Sequence, residues 1–143
     1  MAVTIYAYND FKEKLLNGSG VDLDTDTIKV SLHTSTYSPD IDVHDFYDDV
    51  TNEISDASYT AGGLALTNKT VSQDNANDRS VFDADDLVFV ALTGVTFRYG
   101  VIYQDTGTPG TSTLIAYIDF GTEQTPNGTD LVIQWHTEGI MYI

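Results

Sequence analysis

Three histidines, His33, His44 and His136, carry the side chain best suited to proton transfer near neutral pH. None lies in an HExxH helix motif, and the sequence contains no GxSxG elbow that would supply a serine nucleophile. The three are therefore expected to be surface or structural residues, and no catalytic residue is assigned. Carboxylates offer a second chemistry, because two acids with separated pKa values can hydrolyse a glycoside. Here 18 acids are Asp and only 4 are Glu. Most of the Asp residues neighbour Gly, Asn, Thr or Ser, where Asx side chains bond the nearby backbone in turns. Such loops lack the apolar surroundings that raise one member of an acid pair.

Metal and cofactor chemistry can be weighed in the same way. Asp22, Asp24 and Asp26 alternate as in a calcium loop, and Asp83, Asp85 and Asp86 form a second fragment of that kind. An EF-hand loop needs Gly at its sixth position and Glu at its twelfth. Counting from Asp22, those positions hold Thr27 and His33. Asp22, Asp24 and Asp26 are thus a weak calcium candidate, and a solvated turn is the alternative. With no cysteine, thiolate catalysis, zinc-thiolate sites and disulfides are excluded. Gly62-Gly63 has no lysine at the phosphate-loop position. No cofactor is expected.

The elements that would position such groups are strands. At 143 residues the chain is read as one domain, 1–143, long enough to bury roughly 68–70% of its unfolded surface. Lys and Arg number 6 against 22 acids, a formal charge of −16. That balance argues against nucleic acid and anionic membranes as partners, since both require basic surface. No apolar run approaches the length of a membrane-spanning helix, and MAVTIYAYNDFKEKLL lacks the basic start of a signal peptide.

Residues Ala2 to Tyr8 alternate loosely, which suits either an edge strand or an extended arm, and as an arm Met1 to Tyr8 would offer Val3, Ile5, Tyr6 and Tyr8 as partner contacts. A two-turn helix follows, with Asn9 or Asp10 as N-cap, Phe11, Leu15 and Leu16 on one face, and Gly18 as the stop. Thr27 to Thr34 is the cleanest strand, with Ile28, Val30 and Leu32 opposite Lys29, Ser31 and His33. Phe46, Val50 and Ile54 are spaced for a second short helix. From Tyr59 onward, short strands alternate with Gly, Pro and Asn turns, and Leu114 to Phe120 is apolar on both faces. The expected fold is mainly β: an antiparallel, jelly-roll-like β-sandwich or a barrel, with one or two short helices in the N-terminal half.

The segment FKEKLLNGSGVDLDTDTIKVSLHTSTY, Phe11 to Tyr37, resembles a family of small tailed-bacteriophage virion structural proteins. The likeness continues through His44-Asp45-Phe46, Asp49 to Ile54, Tyr59 to Gly63 and Val81 to Asp86. It returns at Tyr99 to Tyr103 and Leu114 to Gly121, and ends near Trp135 and Gly139-Ile140. The family resembles head decoration (cement) proteins and brings no catalytic residues. The resemblance implies a non-enzymatic protein on the outer capsid surface of the virion, made in the host cytoplasm. Its partner would be the major capsid protein, and by analogy it would sit there as a homotrimer. A tail, neck or baseplate accessory is the alternative role. A carbohydrate- or receptor-binding module, using Tyr and Trp as stacking faces, is a further one.

Overall fold

A computed structural model describes residues 3–143, so Met1 and Ala2 of the expected N-terminal arm lie outside the described residues. The chain runs through β1 (Thr4–Ala7), α1 (Asn9–Asn17), β2 (Ile28–His33), β3 (Leu64–Ala65), β4 (Thr70–Asp74) and β5 (Arg79–Asp83). It continues through β6 (Leu87–Leu92), β7 (Phe97–Gln104), β8 (Leu114–Gln124), β9 (Thr129–Ile133) and β10 (Met141–Tyr142). Every named strand pairing is antiparallel. A five-stranded sheet has the order β1-β8-β7-β2-β3, a three-stranded one β10-β5-β4, and β6 pairs with β9 alone. No barrel closes, and the layers form a sandwich-like arrangement.

The large sheet has two filled faces. Ile28, Val30 and Leu32 of β2, with Ile102 of β7 and Ile118 of β8, point into the main core. Phe82 of β5, Phe89 and Leu92 of β6 and Ile133 of β9 close that core from the other side. The opposite face carries Val101, Tyr103 and Leu114, covered by Tyr8, Tyr37, Ile41, Tyr47 and Val50. Ser31 and His33 lie on the face of β2 opposite Ile28, Val30 and Leu32, as expected, and both are buried there. The loop between β2 and the turn at Tyr47 folds back over them.

Register irregularities divide the aromatic residues of β7 between these faces. Its pairing with β8 shifts between Phe97 and Tyr99, so Phe97 enters the main core while Tyr99 joins the tyrosine-rich face. Gly63 shows why a Gly pair precedes β3. Its φ is +79°, and a Cβ there would collide with the Val30 carbonyl of β2.

Helix α1 forms where expected but with different ends and a narrower face. Its N-cap is Tyr8, with no side-chain cap, and Asn9 instead donates to Asp42 Oδ1 at 2.7 Å. Gly18, at φ +70°, closes it by donating its N–H to the Lys14 carbonyl. Phe11 is buried and Leu15 packs partly on the core. Leu16 is 88% exposed, because one further residue turns about 100° around the axis.

The second expected helix does not form. Between Asp42 and Ile54 there is only a 3-10 turn, Tyr47–Asp49. Aspartates capture the local backbone donors: Asp49 Oδ2 accepts the N–H groups of Asp45 and Phe46, and Asp40 accepts that of Asp42. The neighbouring backbone pairs outward as well, Tyr47 N–H to Ser112 and Ile54 N–H to Leu32. Phe46, Val50 and Ile54 consequently serve three different surroundings. Lys14 lies 4.1 Å over the Phe46 ring, Val50 joins the tyrosine-rich face, and Ile54 enters the main core.

Candidate functional site

Residues two apart on a strand share a face, and β2 thereby brings Ser31 and His33 together. Ser31 Oγ lies 2.7 Å from His33 Nε2, and His33 Nδ1 lies 2.9 Å from the Thr51 carbonyl oxygen. A carbonyl only accepts, so Nδ1 carries the proton and Nε2 accepts the serine hydroxyl. That is the geometry of a base-activated nucleophile held by a third group. No motif in the sequence marks it, but the i, i+2 spacing on a clean strand was the available signal.

Access decides what this pair can do. Ser31 is 0% and His33 1% exposed. The rings of Tyr37 and Tyr47 flank the imidazole at 5.5 and 6.3 Å between centroids. The nearest surface hollow, about 240 Å³, reaches Tyr47, Gly62, Tyr103 and Ser112 but neither Ser31 nor His33. Burial pushes His33 below its ordinary pKa, opposed in part by the Thr51 carbonyl and the Glu53 charge. The ring is thus a neutral hydrogen-bonding strut inside the fold.

The surrounding polar groups have structural partners of the same kind. Tyr59 donates to Glu53 Oε1 at 2.7 Å and accepts the Leu32 N–H at 3.0 Å, while Gly62 N–H donates to the same Glu53 oxygen. Tyr103 donates to the Gly62 carbonyl. Tyr8 and Tyr37 join hydroxyls at 2.8 Å, and Tyr37 reaches His44 Nδ1 at 3.1 Å. Burial pushes the Tyr37 phenol up to about 12. Among the described residues, the Tyr47 hydroxyl alone is buried without a hydrogen bond of ordinary geometry, although Ser31, Tyr103 and Glu53 lie close enough to act on it. His136 is exposed, 3.7 Å from Glu138.

The calcium candidate resolves into turn chemistry. Asp26 Oδ2 accepts the Asp22 backbone N–H at 2.8 Å and the Gln104 amide at 2.7 Å. Asp22 and Asp24 share a hydrogen bond, which lowers the first and raises the second. No group of three or more metal-ligating side chains gathers among the described residues. In the other acidic fragment, Asp86 accepts the Trp135 backbone N–H and Asp85 takes the Asn68 amide.

The proposed partner-contact residues are part of the body. Thr4–Ala7 is the edge strand β1, in register with β8 from Thr4 opposite Asp119 to Ala7 opposite Ala116. Val3 and Ile5 pack against the main core and Tyr8 is fully buried, so these three are structural. Only Tyr6 keeps a substantial exposed surface, stacked on Tyr117 at 5.0 Å.

Outside the core, apolar side chains concentrate where α1 meets the three-stranded sheet. Leu15, Leu23, Val71, Val81, Phe82, Met141, Tyr142 and Ile143 line a hollow of about 100 Å³. A neighbouring hollow shares Leu15, Leu23 and Val71 and adds Val21, Asp22 and Asp24, which turns an apolar floor into an acidic rim. Val71, Tyr142 and Ile143 are 49%, 55% and 78% exposed. β4 is an edge strand whose first four residues are all exposed. Periodicity did not announce this surface, because it is assembled from α1, β4 and the last three residues of the chain. No helix among the described residues is long and apolar enough to cross a membrane.

No family model, curated protein or solved structure matches this chain. Function therefore has to be read from the chemistry of the chain itself.

Proposed function

We propose that this chain is a non-enzymatic structural protein of a tailed-phage virion, which binds the outer capsid shell and stabilises the head. The observation that carries the reading is a contrast in exposure. The Ser31–His33 pair is sealed in a filled sheet, while Val71, Tyr142 and Ile143 stand exposed at one outer surface. Binding energy at protein interfaces comes from a few aromatic and aliphatic anchors that become buried. A stiff body with anchors on its exterior suits a protein that adds to a preformed shell. The resemblance of Phe11–Tyr37 and the later strings to phage virion proteins supports the same placement. The major capsid protein is the proposed partner, and a trimer the proposed assembly on the shell.

The test is to assemble heads without this chain and compare their survival on heating and after osmotic shock. Heads lacking it should form normally but burst at lower temperature, and adding the purified protein back should restore them. Heads that are equally robust without it would sink the cement role. Label confined to the tail or neck in electron micrographs would favour the accessory role instead.

A further inference from the structure

We infer that the apolar hollow between α1, β4 and β10, with its Asp22 and Asp24 rim, is the docking site for a basic segment of the shell protein that inserts one aliphatic side chain. This rests on the decoration reading and adds to it the surface used and the chemistry of the occupant.

The floor fixes the first half of that chemistry. Its lining is almost wholly side-chain hydrocarbon from Leu15, Leu23, Val71, Met141, Tyr142 and Ile143, and its volume of about 100 Å³ takes a single Leu- or Ile-sized group. Covering such an open apolar hollow takes hydrocarbon out of water, which favours filling it. Exposed neighbours at Val71, Tyr142 and Ile143 would be covered by the rest of the segment.

The rim and the charge balance fix the second half. Asp22 and Asp24 face solvent at the open end, next to Leu23. They share a hydrogen bond that lowers Asp22 and raises Asp24, and Lys69 already offsets part of the charge at Asp24; an incoming ammonium or guanidinium would meet the remainder. Arg79, beside the groove over the Tyr142 ring, is already committed to Asp74 and Glu138. Across the chain, acids exceed bases by 16 charges. A second copy brought to this rim would bring the same excess with it, whereas a Lys- or Arg-bearing segment is attracted from a distance.

The experiment is co-sedimentation of the full chain with heads assembled without it, over a series of salt concentrations, with sedimentation velocity of the chain alone in parallel. Val71→Asp and Ile143→Asp should each weaken head binding about tenfold or more, as expected for a charge placed on a buried anchor. Val90→Asp, at a valine on β6 that is 67% exposed, should bind like the unaltered chain. Asp22→Asn with Asp24→Asn should flatten the salt dependence. Thermal melts verify that each variant is folded, and Ile143→Asp, at a residue 78% exposed, serves if Val71→Asp is not.

Unaltered chain that binds heads while both groove variants bind equally well would overturn the groove and leave the decoration reading standing. Unaltered chain that does not bind heads would overturn both. Self-association abolished by Val71→Asp would make the occupant a second copy, against the inference. A salt dependence unchanged in the Asn variants would remove the basic character assigned to the segment.

Discussion

Strand β2 sends Ile28, Val30 and Leu32 to one face of its sheet and Lys29, Ser31 and His33 to the other, and the two sides are filled by different means. The first is closed mainly by aliphatic and Phe side chains from three sheets, where fit is a matter of volume, with Tyr59 and Trp135 at its edge bonding to Glu53 and to the Asp85 carbonyl. The second is closed by tyrosines and a folded-back loop, where Ser31 and His33 are held by named hydrogen bonds and the Tyr47 hydroxyl is the buried polar atom left without one of ordinary geometry. Lys29, at its end, pairs with Asp105 at 2.6 Å. The difference teaches that the apolar face sets how stable the sheet is, while the polar face fixes where one particular loop lies. The groups that look catalytic belong to that second task.

Substitutions can break the contrast at its root or sharpen it. The largest effect is expected where both faces share backbone. Gly63→Ala puts a Cβ into the Val30 carbonyl at a φ of +79°, so β3 must leave β2. Urea unfolding should show a loss of about 4 kcal/mol or more, or no folded protein at all. Next comes the apolar face alone. Leu32→Ala should cost about 2–5 kcal/mol through the cavity it leaves, with the loop over the other face still protected in hydrogen exchange.

A smaller loss belongs to the polar face. His33→Ala strands the Ser31 hydroxyl and the Thr51 carbonyl, and about 1–3 kcal/mol should go. The native histidine also gives stability a pH signature. Burial holds His33 below its ordinary value in the folded chain, so the unfolded chain protonates first. The stability this ring contributes is complete above about pH 6.5 and is lost as pH falls from there toward the folded pKa. Unfolding free energies measured across that window should decline in the unaltered protein, and the decline should shrink in His33→Asn. Least of all, Tyr47→Phe removes a buried hydroxyl that makes no hydrogen bond of ordinary geometry. It should be neutral or stabilising by up to about 1 kcal/mol, and a clear loss would show that its contacts with Ser31, Tyr103 or Glu53 act as hydrogen bonds.

Much of the fold was legible where local pattern and tertiary packing agree. Ile28, Val30 and Leu32 read as one face and are one face, and Gly18 stops α1 in the left-handed conformation that only glycine adopts freely. Where they compete, packing prevailed. Phe46, Val50 and Ile54 carry helical spacing, but Asp49 and the Ser112 carbonyl took the backbone donors. The burial of Ser31 and His33 was not legible, because alternation tells which residues share a face and says nothing about a loop that later covers it. The outer groove was illegible for a related reason. Leu15, Val71 and Ile143 lie far apart in the chain and meet only once the sheets have formed.

Whether the outside of this molecule, and not its interior, does the work is tested most directly by a cryo-electron microscopy reconstruction of the intact particle. The account predicts density for this chain in many copies over the outer shell, with Val71, Tyr142 and Ile143 turned toward the capsid protein. Density confined to the tail, or a shell contact made by the opposite side of the molecule, would contradict it.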